Sequence, residues 1–325
     1  MRVLLAVDGS ATSASARQLV GSLAWPEDTV IEVVAAVEPV VDFIGTTVMP
    51  MPTSSPELEF EAAHELADAV ATAVTALEAP GRTVTRALLH GRPATMIVEE
   101  AATFRADLIV VGSRGLGPLT SMLLGSVSAE VVDHAPCPVL VVRRPAIGSV
   151  LVAVDGSVSS QAAVTFLGTS RFLEGHHVEV LSVATKAAPM PPVALAGPRG
   201  PEVEPGPTRI DEHREWAESI AAGAVASLQR DGLPGRASIS QGDPAHEIIE
   251  AAKAFGCDLI VLGSRGHTGL SRLLLGSVAR NVVLHTHASV LVVHEPRAHR
   301  TTETTKDATK RPVDERPTDA SVKTH

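Results

Sequence analysis

Short apolar runs and longer amphipathic segments alternate along the first half of the chain. Five runs are rich in valine, leucine and isoleucine and have the length of buried strands: residues 3–7, 30–37, 83–89, 107–111 and 139–142. Four segments between them carry apolar residues at helical spacing: residues 10–23, 56–77, 94–104 and 127–134. Because strands that alternate with helices form a parallel sheet with helices on both faces, this pattern predicts a doubly wound α/β domain.

The same order of elements returns in residues 150–293. Residues 108–142 align without a gap with residues 259–293, and the two stretches are identical at 20 of 35 positions. A repeat unit of about 145 residues is too long for a solenoid and has the length of a complete domain. We therefore predict two α/β domains, at residues 1–144 and 149–295.

Four segments fall outside the repeated elements. Residues 145–149 form a short predicted linker, which keeps the two domains close together. The loops at residues 38–55 and 185–207 are long and rich in proline, and they are either disordered excursions or lids over a bound ligand. Residues 296–325 contain almost no large apolar side chains, which predicts a disordered polar tail.

The composition limits the partners that this chain can have. The chain has 325 residues, of which 45% are hydrophobic and only 2% are aromatic, so both cores must be aliphatic. Few rings are available to stack on single-stranded nucleic acid, and a net charge of −10 opposes a phosphate backbone; we expect no nucleic-acid partner. No apolar run has the length of a membrane span or of a signal peptide, and we expect a cytoplasmic protein.

The two cysteines occupy non-equivalent places in the repeats. In the alignment Cys137 lies opposite Ala288, and Cys257 lies opposite Ala106. A repeated disulfide or metal site would use equivalent positions, so we expect ordinary packed thiols in a reducing compartment and no metal ligands.

A glycine-rich loop follows the fourth predicted strand of each repeat. Its residues in the two copies are Gly112, Ser113, Arg114, Gly115, Gly125 and Ser126, and Gly263, Ser264, Arg265, Gly266, Gly276 and Ser277. Such a loop can turn its N–H groups toward an anion, because glycine admits positive φ and leaves room for a phosphate. A serine at the start of the next helix adds a hydroxyl to the donors there. Loop glycines with a simple serine helix cap are the alternative, and the return of the pattern in both copies favours a phosphate site.

An aspartate ends the first strand of each repeat. Asp8 precedes Gly9, and Asp155 precedes Gly156. In a doubly wound sheet, ligands bind beyond the carboxyl ends of the strands where the strand order reverses. If the first and fourth strands are neighbours, each aspartate lies beside its glycine-rich loop and can accept a hydrogen bond from a ribose hydroxyl or an adenine amine. A plain helix N-cap is the other interpretation.

Other polar residues give weaker signals. Arg114 and Arg265 can supply charge to a phosphate, and they are equally well explained as solvated loop arginines. His90 precedes Gly91, whereas Gln241 takes that place in the second copy. A histidine that is absent from one of two otherwise matching sites is a poor catalytic candidate, and we assign no catalytic residue.

With these motifs, the chain resembles the tandem-domain, ATP-binding type of universal stress protein. The nucleotide signature of that family, G-x2-G-x9-G-[S/T], is complete in both repeats. The Val-Asp-Gly-Ser strand end, the Gly-x-Pro turn and the closing Val-Leu-Val-Val strand are similar as well. The resemblance covers residues 1 to about 294. The second repeat departs from the pattern before its last strand, where His-Ala-Ser replaces Ala-Pro-Cys-Pro.

The resemblance implies a Rossmann-like fold of the adenine nucleotide alpha hydrolase type, with five parallel strands in the order 3-2-1-4-5. It implies that ATP, with or without a magnesium ion, is held between the first and fourth strands of each domain. Asp8 and Asp155 then contact the adenosine, the main chain of Val37 and Val183 lines the base, and the glycine-rich loops hold the phosphates. The domains are expected to pair through their fifth strands, and the chain to form a homodimer that acts on an unidentified protein partner.

Two functions compete at this point. One is a stress-response regulator in which ATP occupancy changes conformation and partner choice, and the other is an enzyme that hydrolyses ATP or transfers part of it. The chain contains no Gly-Lys-[Ser/Thr] P-loop, no His-x-Gly-His motif and no repeated acidic pair suited to metal-assisted attack. We therefore expect a regulator that is not an enzyme, apart from weak hydrolysis of bound ATP.

Overall fold

The computed structural model describes residues 1–38, 56–115, 124–185, 209–266 and 275–294. The predictions of a lid or a disordered excursion in the two proline-rich loops, and of a disordered tail, fall almost wholly on residues outside these ranges.

Strands and helices alternate through both halves of the described chain. The first half contains β1 (Arg2–Ala6), α1 (Ala11–Ser22), β2 (Val30–Val37), α2 (Pro56–Leu77), β3 (Thr83–His90), α3 (Pro93–Phe104), β4 (Leu108–Gly112), α4 (Ser126–His134) and β5 (Val139–Val142). The second half contains β6 (Ser149–Val154), α5 (Val158–Ser170), β7 (His177–Ala184), α6 (Arg209–Arg230), β8 (Gly235–Gln241), α7 (Pro244–Ala254), β9 (Leu259–Gly263), α8 (Ser277–His285) and β10 (Ser289–Val293).

The predicted boundaries differ from these by one or two residues at most in the first half. Ser149 was expected to close the linker, but it begins β6 and pairs with His177 of β7. Helix α1 begins after Ser10, because the Ser10 hydroxyl accepts a hydrogen bond from the N–H of Ser13 at 3.2 Å. Local capping therefore sets helix starts that an apolar pattern locates only approximately.

All the described strands belong to one sheet, in the order β3-β2-β1-β4-β5-β10-β9-β6-β7-β8. Each half is a parallel five-stranded sheet of the expected order 3-2-1-4-5, and that prediction is confirmed. The halves join through an antiparallel pair, in which Leu140 of β5 lies opposite Leu291 of β10. Because these leucines occupy equivalent places in the repeats, a pseudo-twofold axis passes between them. The expected pairing of the fifth strands within one chain is thus present.

Helices cover both faces of the sheet, and each core layer runs without a break across the two halves. Leu140 and Leu291 are buried in the layer beneath α1, α2, α5 and α6, whereas Val139 and Val290 are buried in the layer beneath α3, α4, α7 and α8. A strand that is covered on both sides needs apolar residues at every position rather than at alternate ones. The near-continuous apolar runs of the sequence have this physical cause.

Polar contacts support the junction between the halves. An ion pair joins Asp133 of α4 to Arg280 of α8, with 2.7 Å between the nearest atoms. The Ser289 hydroxyl accepts hydrogen bonds from the N–H groups of Arg143 at 3.1 Å and Arg144 at 3.3 Å. Ser289 stands where the first repeat has Pro138, so the departure from the family pattern supplies contacts at the paired edge.

Both thiols are free and buried, which confirms the prediction of packed cysteines. Burial, with a smaller effect from the charge of Asp107, raises the pKa of the Cys137 thiol to about 12. Burial also raises the pKa of the Cys257 thiol. At neutral pH both side chains are therefore protonated and behave as small apolar groups. In the parts of the chain that the structure describes, no helix is both long and apolar enough to cross a membrane.

Candidate functional site

The candidate site of each half lies where the strand order reverses. In the first half, β1 pairs with β2 on one side and with β4 on the other. The chain therefore leaves β1 and β4 toward opposite sides of the sheet, and a crevice opens beyond their carboxyl ends. Asp8 follows β1 at this edge, and Gly112 is the last residue of β4.

The carboxylate of Asp8 faces the glycine-rich loop. Oδ1 of Asp8 accepts a hydrogen bond from the N–H of Ser10 at 3.0 Å. The main-chain N–H of Asp8 donates to the Ser13 hydroxyl at 3.3 Å. A Cβ placed on Gly115 would lie 2.8 Å from Oδ2 of Asp8. Since Ser10 is the N-cap of α1, the interpretation of Asp8 as a plain helix cap is wrong. One carboxylate oxygen holds the turn, and the other is presented at the loop.

The second half repeats this geometry closely. Oδ1 of Asp155 accepts the N–H of Ser157 at 3.0 Å, and Ser157 is the N-cap of α5. A Cβ on Gly266 would again lie 2.8 Å from the aspartate Oδ2. Gly156 has a φ of +80° and Gly9 a φ of +79°, a conformation that side-chain-bearing residues rarely adopt. The same type of glycine turn therefore orients the aspartate in each half.

Main-chain hydrogen bonds close the base of each glycine-rich loop. In the first half, the N–H of Ser113 donates to Val142 O at 2.9 Å, and Ser113 O accepts the N–H of Gly125 at 2.7 Å. In the second half, Gly276 donates to Ser264 O at 2.8 Å. Ser113 and Ser264 are buried and shape the loop through their main chain. These bonds hold the start of α4 and α8 beside the end of β4 and β9.

Some of these positions require glycine for a different reason from the one expected. Gly112, Gly115 and Gly125 do not have positive φ, and neither do their counterparts. A Cβ on Gly112 would lie 2.7 Å from Oγ1 of Thr12, and one on Gly263 would lie 2.5 Å from the carbonyl carbon of Ser159. Gly112 and Gly263 are therefore needed because the start of α1 or α5 packs directly against them, and not to permit a left-handed backbone.

The N-termini of α4 and α8 lie at the same edge, and no side chain in the described part of the chain caps them. Gly125 and Gly276 are their N-cap residues, and neither makes a side-chain capping bond. Ser126 and Ser277 are the first helical residues and are exposed, so the alternative of a serine N-cap is wrong. First-turn N–H groups, the helix dipole and a serine hydroxyl are the elements of an anion site.

The loop arginines add positive charge near this edge. Arg114 is exposed; its carbonyl accepts the Ser10 hydroxyl at 3.2 Å and also the Thr12 hydroxyl, and its N–H donates to Thr12 Oγ1 at 3.2 Å. Burial and then the charge of Arg114 lower the pKa of Arg143 to about 10, so the Arg143 guanidinium is still charged at neutral pH. Arg265 is only partly exposed, and its carbonyl accepts the Ser157 hydroxyl at 3.2 Å.

The position in the second half that is equivalent to Val37 is held by Ala184, and not by Val183. Val37 pairs with His90, and its carbonyl accepts the N–H of Gly91 at 2.9 Å. In the second half the same roles fall to Ala184, whose carbonyl accepts the N–H of Gly242 at 3.2 Å. Val183 lies one residue earlier. The Gly-x-Pro turns give the correct register, because each glycine bonds to the last residue of the neighbouring strand.

Two further features escaped the sequence interpretation. Thr12 anchors the main chain of Arg114, a contact between segments that are far apart in the sequence. Trp216 and Ile220 of α6 lie against Gly156, where the first half has the smaller Ala69. Within the described ranges, no group of three or more histidine, cysteine or acidic residues is placed to hold a metal ion.

Comparison with known proteins gives a consistent match. The model described as Universal stress protein family matches residues 1–143 and again residues 147–294. A universal stress protein of Mycolicibacterium smegmatis is 29% identical over 305 residues, which is 90% of this chain and 96% of the relative. A universal stress protein of Mycobacterium tuberculosis is 32% identical over 239 residues, covering 70% of this chain and 74% of that protein.

Solved structures share the fold across both halves. The crystal structure of a universal stress protein from Archaeoglobus fulgidus DSM 4304 has a TM-score of 0.63 and 18% identity, and the match covers 90% of this chain and 98% of that one. A putative universal stress protein from Pseudomonas aeruginosa has a TM-score of 0.56 and 16% identity over 91% of this chain and 93% of its own. The whole two-domain arrangement is therefore matched, and not a single domain alone.

Proposed function

Because the chain belongs to the universal stress protein family, we propose that it is an ATP-binding regulator of the stress response. In this proposal, occupancy of the two glycine-rich sites changes the conformation of the chain and its choice of protein partner. The expected homodimer and the expected cytoplasmic location remain part of the proposal.

One observation carries the proposal. In both halves, an aspartate oxygen and a helix N-terminus meet at the same crevice, and a Cβ built on the loop glycine would lie 2.8 Å from the aspartate Oδ2. A free phosphate ion would be attracted by the helix N-terminus but repelled by Asp8 or Asp155. A ligand with hydroxyl or amine donors at one end and an anion at the other satisfies both groups. A nucleotide has this polarity.

In this proposal, the two ends of the crevice bind different parts of the nucleotide. The carboxylates of Asp8 and Asp155 accept hydrogen bonds from the ribose hydroxyls or the adenine amine. The phosphates bind to the first-turn N–H groups of α4 and α8, with the hydroxyls of Ser126 and Ser277 as additional donors. Arg114 supplies positive charge beside the first loop. A magnesium ion, if bound, takes its ligands from phosphate oxygens and water.

Contacts at the far ends of α4 and α8 support a regulatory role. His294, which follows β10, donates from Nε2 to the carbonyl of Val132 in α4 at 3.0 Å. Arg143, which follows β5, donates to the carbonyl of Val283 in α8 at 2.5 Å. Each helix thus begins at the candidate site of its own half and ends against the other half. Ligand binding that shifts one helix therefore acts directly on the junction between the halves.

The test is to identify what the purified protein binds. The full chain is denatured and the released nucleotide is separated by chromatography, and stripped protein is titrated with ATP by calorimetry. We expect adenine nucleotide in the extract or binding of added ATP. The absence of both would overturn the proposal.

A turnover assay separates the regulator from an ATP-using enzyme. We propose that ATP acts as a ligand, so conversion to ADP should proceed at no more than a few turnovers per hour under saturating ATP and magnesium. Sustained turnover near the median of known enzymes, on the order of 10 per second, would contradict a regulator and favour an enzyme.

A further inference from the structure

A half-exposed tryptophan lies beside the candidate site of the second half. Trp216 of α6 has 46% of its surface exposed. A Cβ placed on Gly156 would lie 3.2 Å from Cζ2 of Trp216 and 2.6 Å from Cδ1 of Ile220. Gly156 follows Asp155 directly in the chain. The indole ring therefore stands next to the turn that aims the aspartate.

The start of α6 fixes this ring at the ligand-binding edge of the sheet. Nδ1 of His213 donates to the carbonyl of Thr185 at 3.2 Å, and Thr185 follows the last residue of β7. Trp216 lies one helical turn after His213. It is therefore placed between the carboxyl end of β7 and the Asp155 turn, and both of these border the adenosine end of the proposed nucleotide site.

The first half has no ring at the equivalent position. A Cβ on Gly9 would be nearest to Ala69, at 4.0 Å, so Ala69 is the counterpart of Ile220. Four residues earlier, Glu65 is the counterpart of Trp216, and it is exposed. A carboxylate cannot stack on a base, and it adds negative charge near a ligand that is itself anionic. The two sites therefore differ most at their base-binding ends.

We propose that Trp216 stacks on the base of the nucleotide in the second half and makes that site tighter and more selective for purines than the first. The inference rests on the proposed function and specifies its base-recognising residue. An aromatic side chain that stacks on a base contributes substantially to binding, and a purine covers more of the indole than a pyrimidine does. The exposure of the ring in the ligand-free chain leaves surface for a base to cover.

The test uses chains in which only one site can bind. Gly115→Glu leaves the second site, and Gly266→Glu leaves the first. In the Gly115→Glu chain, Trp216→Leu should weaken ATP binding about tenfold by calorimetry, and it should lower the preference for ATP over CTP. Trp216→Phe should restore most of both. In the Gly266→Glu chain, Trp216→Leu should have no effect.

The outcomes separate this inference from the proposed function. If the Gly115→Glu chain binds ATP equally well with tryptophan or leucine at position 216, the stacking role is wrong while the proposed function stands. If neither single-site chain binds ATP, the proposed function is wrong and the inference falls with it.

Fluorescence gives a second, independent readout. The chain has two tryptophans, and Trp25→Phe leaves Trp216 as the sole indole. In the Gly115→Glu chain with this change, ATP should alter the Trp216 emission with the same dissociation constant that calorimetry gives. Binding without any change in emission would overturn the proposal. Glu65→Trp in the Gly266→Glu chain is the matched gain-of-function variant and should tighten ATP binding severalfold.

Discussion

The two halves of the sheet agree where the loop meets the aspartate and differ in what surrounds that meeting point. A Cβ built on Gly115 would lie 2.8 Å from Oδ2 of Asp8, and one built on Gly266 would lie 2.8 Å from Oδ2 of Asp155. Beside the aspartate turn, the second half has Trp216 where the first half has Glu65. At the junction, the ion pair between Asp133 and Arg280 has no charged counterpart, because leucine and alanine occupy the equivalent positions of the other repeat. The comparison teaches that the contact between the aspartate and the glycine-rich loop is the same in the two halves, whereas the surroundings of the Asp155 turn and the junction between the halves have diverged.

The tight approach at the end of β4 and β9 should give the largest effect on stability. We expect Gly263→Ala to destabilise the fold by about 3 kcal/mol and Gly112→Ala by about 2 kcal/mol. The added Cβ meets main-chain atoms of Ser159 and Ser160 at 2.5 to 2.7 Å in the second half, but meets Thr12 and Ser13 at 2.7 to 2.9 Å in the first. Denaturant unfolding measures both losses.

Gly223→Ala is the matched control for these two variants. Gly223 lies within the exposed surface of α6, and a Cβ there would meet no atom within 4 Å. This change should be neutral or stabilise by up to about 1 kcal/mol, since alanine is the better helix former. If all three variants behave alike, close packing is not the reason for glycine at the strand ends.

The ion pair at the junction should follow with a smaller effect. Asp133→Leu alone should cost about 2 kcal/mol, because it leaves the Arg280 guanidinium without its partner at a half-buried position. The double variant with Arg280→Ala has the leucine and alanine that occupy the equivalent positions of the other repeat. It should recover most of the lost stability. A double-mutant cycle in unfolding experiments measures the coupling. Additive losses would show that the pair contributes nothing as a pair.

Two glutamates at equivalent positions, the half-buried Glu32 and the buried Glu179, should respond in opposite directions to loss of their charge. Burial, and then the nearby charge of Glu100, raise the pKa of Glu32, so the proton on Glu32 stabilises the fold. That contribution is complete below the ordinary glutamate pKa and is lost as the pH rises through the raised value. Glu32→Gln should therefore leave the protein slightly more stable at pH 7 and reduce the loss of stability that accompanies a rise in pH above the ordinary glutamate pKa.

The counterpart Glu179 accepts hydrogen bonds from the side chains of Arg236, at 3.2 Å, and Ser238. Glu179→Gln should cost about 1 kcal/mol at pH 7, because the bonds to a charged acceptor are weakened. Thermal unfolding at several pH values checks both variants. A loss of stability in Glu32→Gln equal to that in Glu179→Gln would contradict the distinction between the two sites.

The smallest predicted effect concerns a hydrogen bond that only one half possesses. The Ser128 hydroxyl donates to the carbonyl of Gly112 at 2.6 Å, and Ala279 occupies the equivalent position in the second half. Ser128→Ala should cost less than about 1 kcal/mol, since the second half has the same fold without this bond. Ala279→Ser is the reciprocal variant and should gain a similar amount. A larger loss in Ser128→Ala would give this bond a role beyond local stability.

Much of the fold could be read from the sequence because its signals are local and repeated. The apolar runs located the strands, and the glycine-rich motifs located the loop that meets Asp8. The resemblance pointed to Val183 as the counterpart of Val37, whereas the hydrogen bond from Gly242 identifies Ala184 as the equivalent residue. A local pattern does not report which residues of neighbouring strands face each other.

Contacts between distant segments could not be predicted from the sequence. The bond from Arg143 to Val283 joins residues that are 140 positions apart, and it depends on the antiparallel pairing of β5 with β10. The placement of Trp216 against Gly156 depends on how α6 crosses the sheet. The reason for glycine at Gly263 is similarly non-local, since it lies in the packing of α5. These contacts can be identified only from the three-dimensional structure.

The stoichiometry of ATP binding tests the central claim most directly. Calorimetry on stripped protein should give two sites per chain in the unmodified protein, one in Gly115→Glu, one in Gly266→Glu and none in the double variant, because each added carboxylate fills its loop and repels phosphate. Gly223→Glu, which adds the same charge on the exposed surface of α6, should retain two. Unchanged stoichiometry in folded Gly115→Glu and Gly266→Glu chains would place the nucleotide elsewhere and contradict the account.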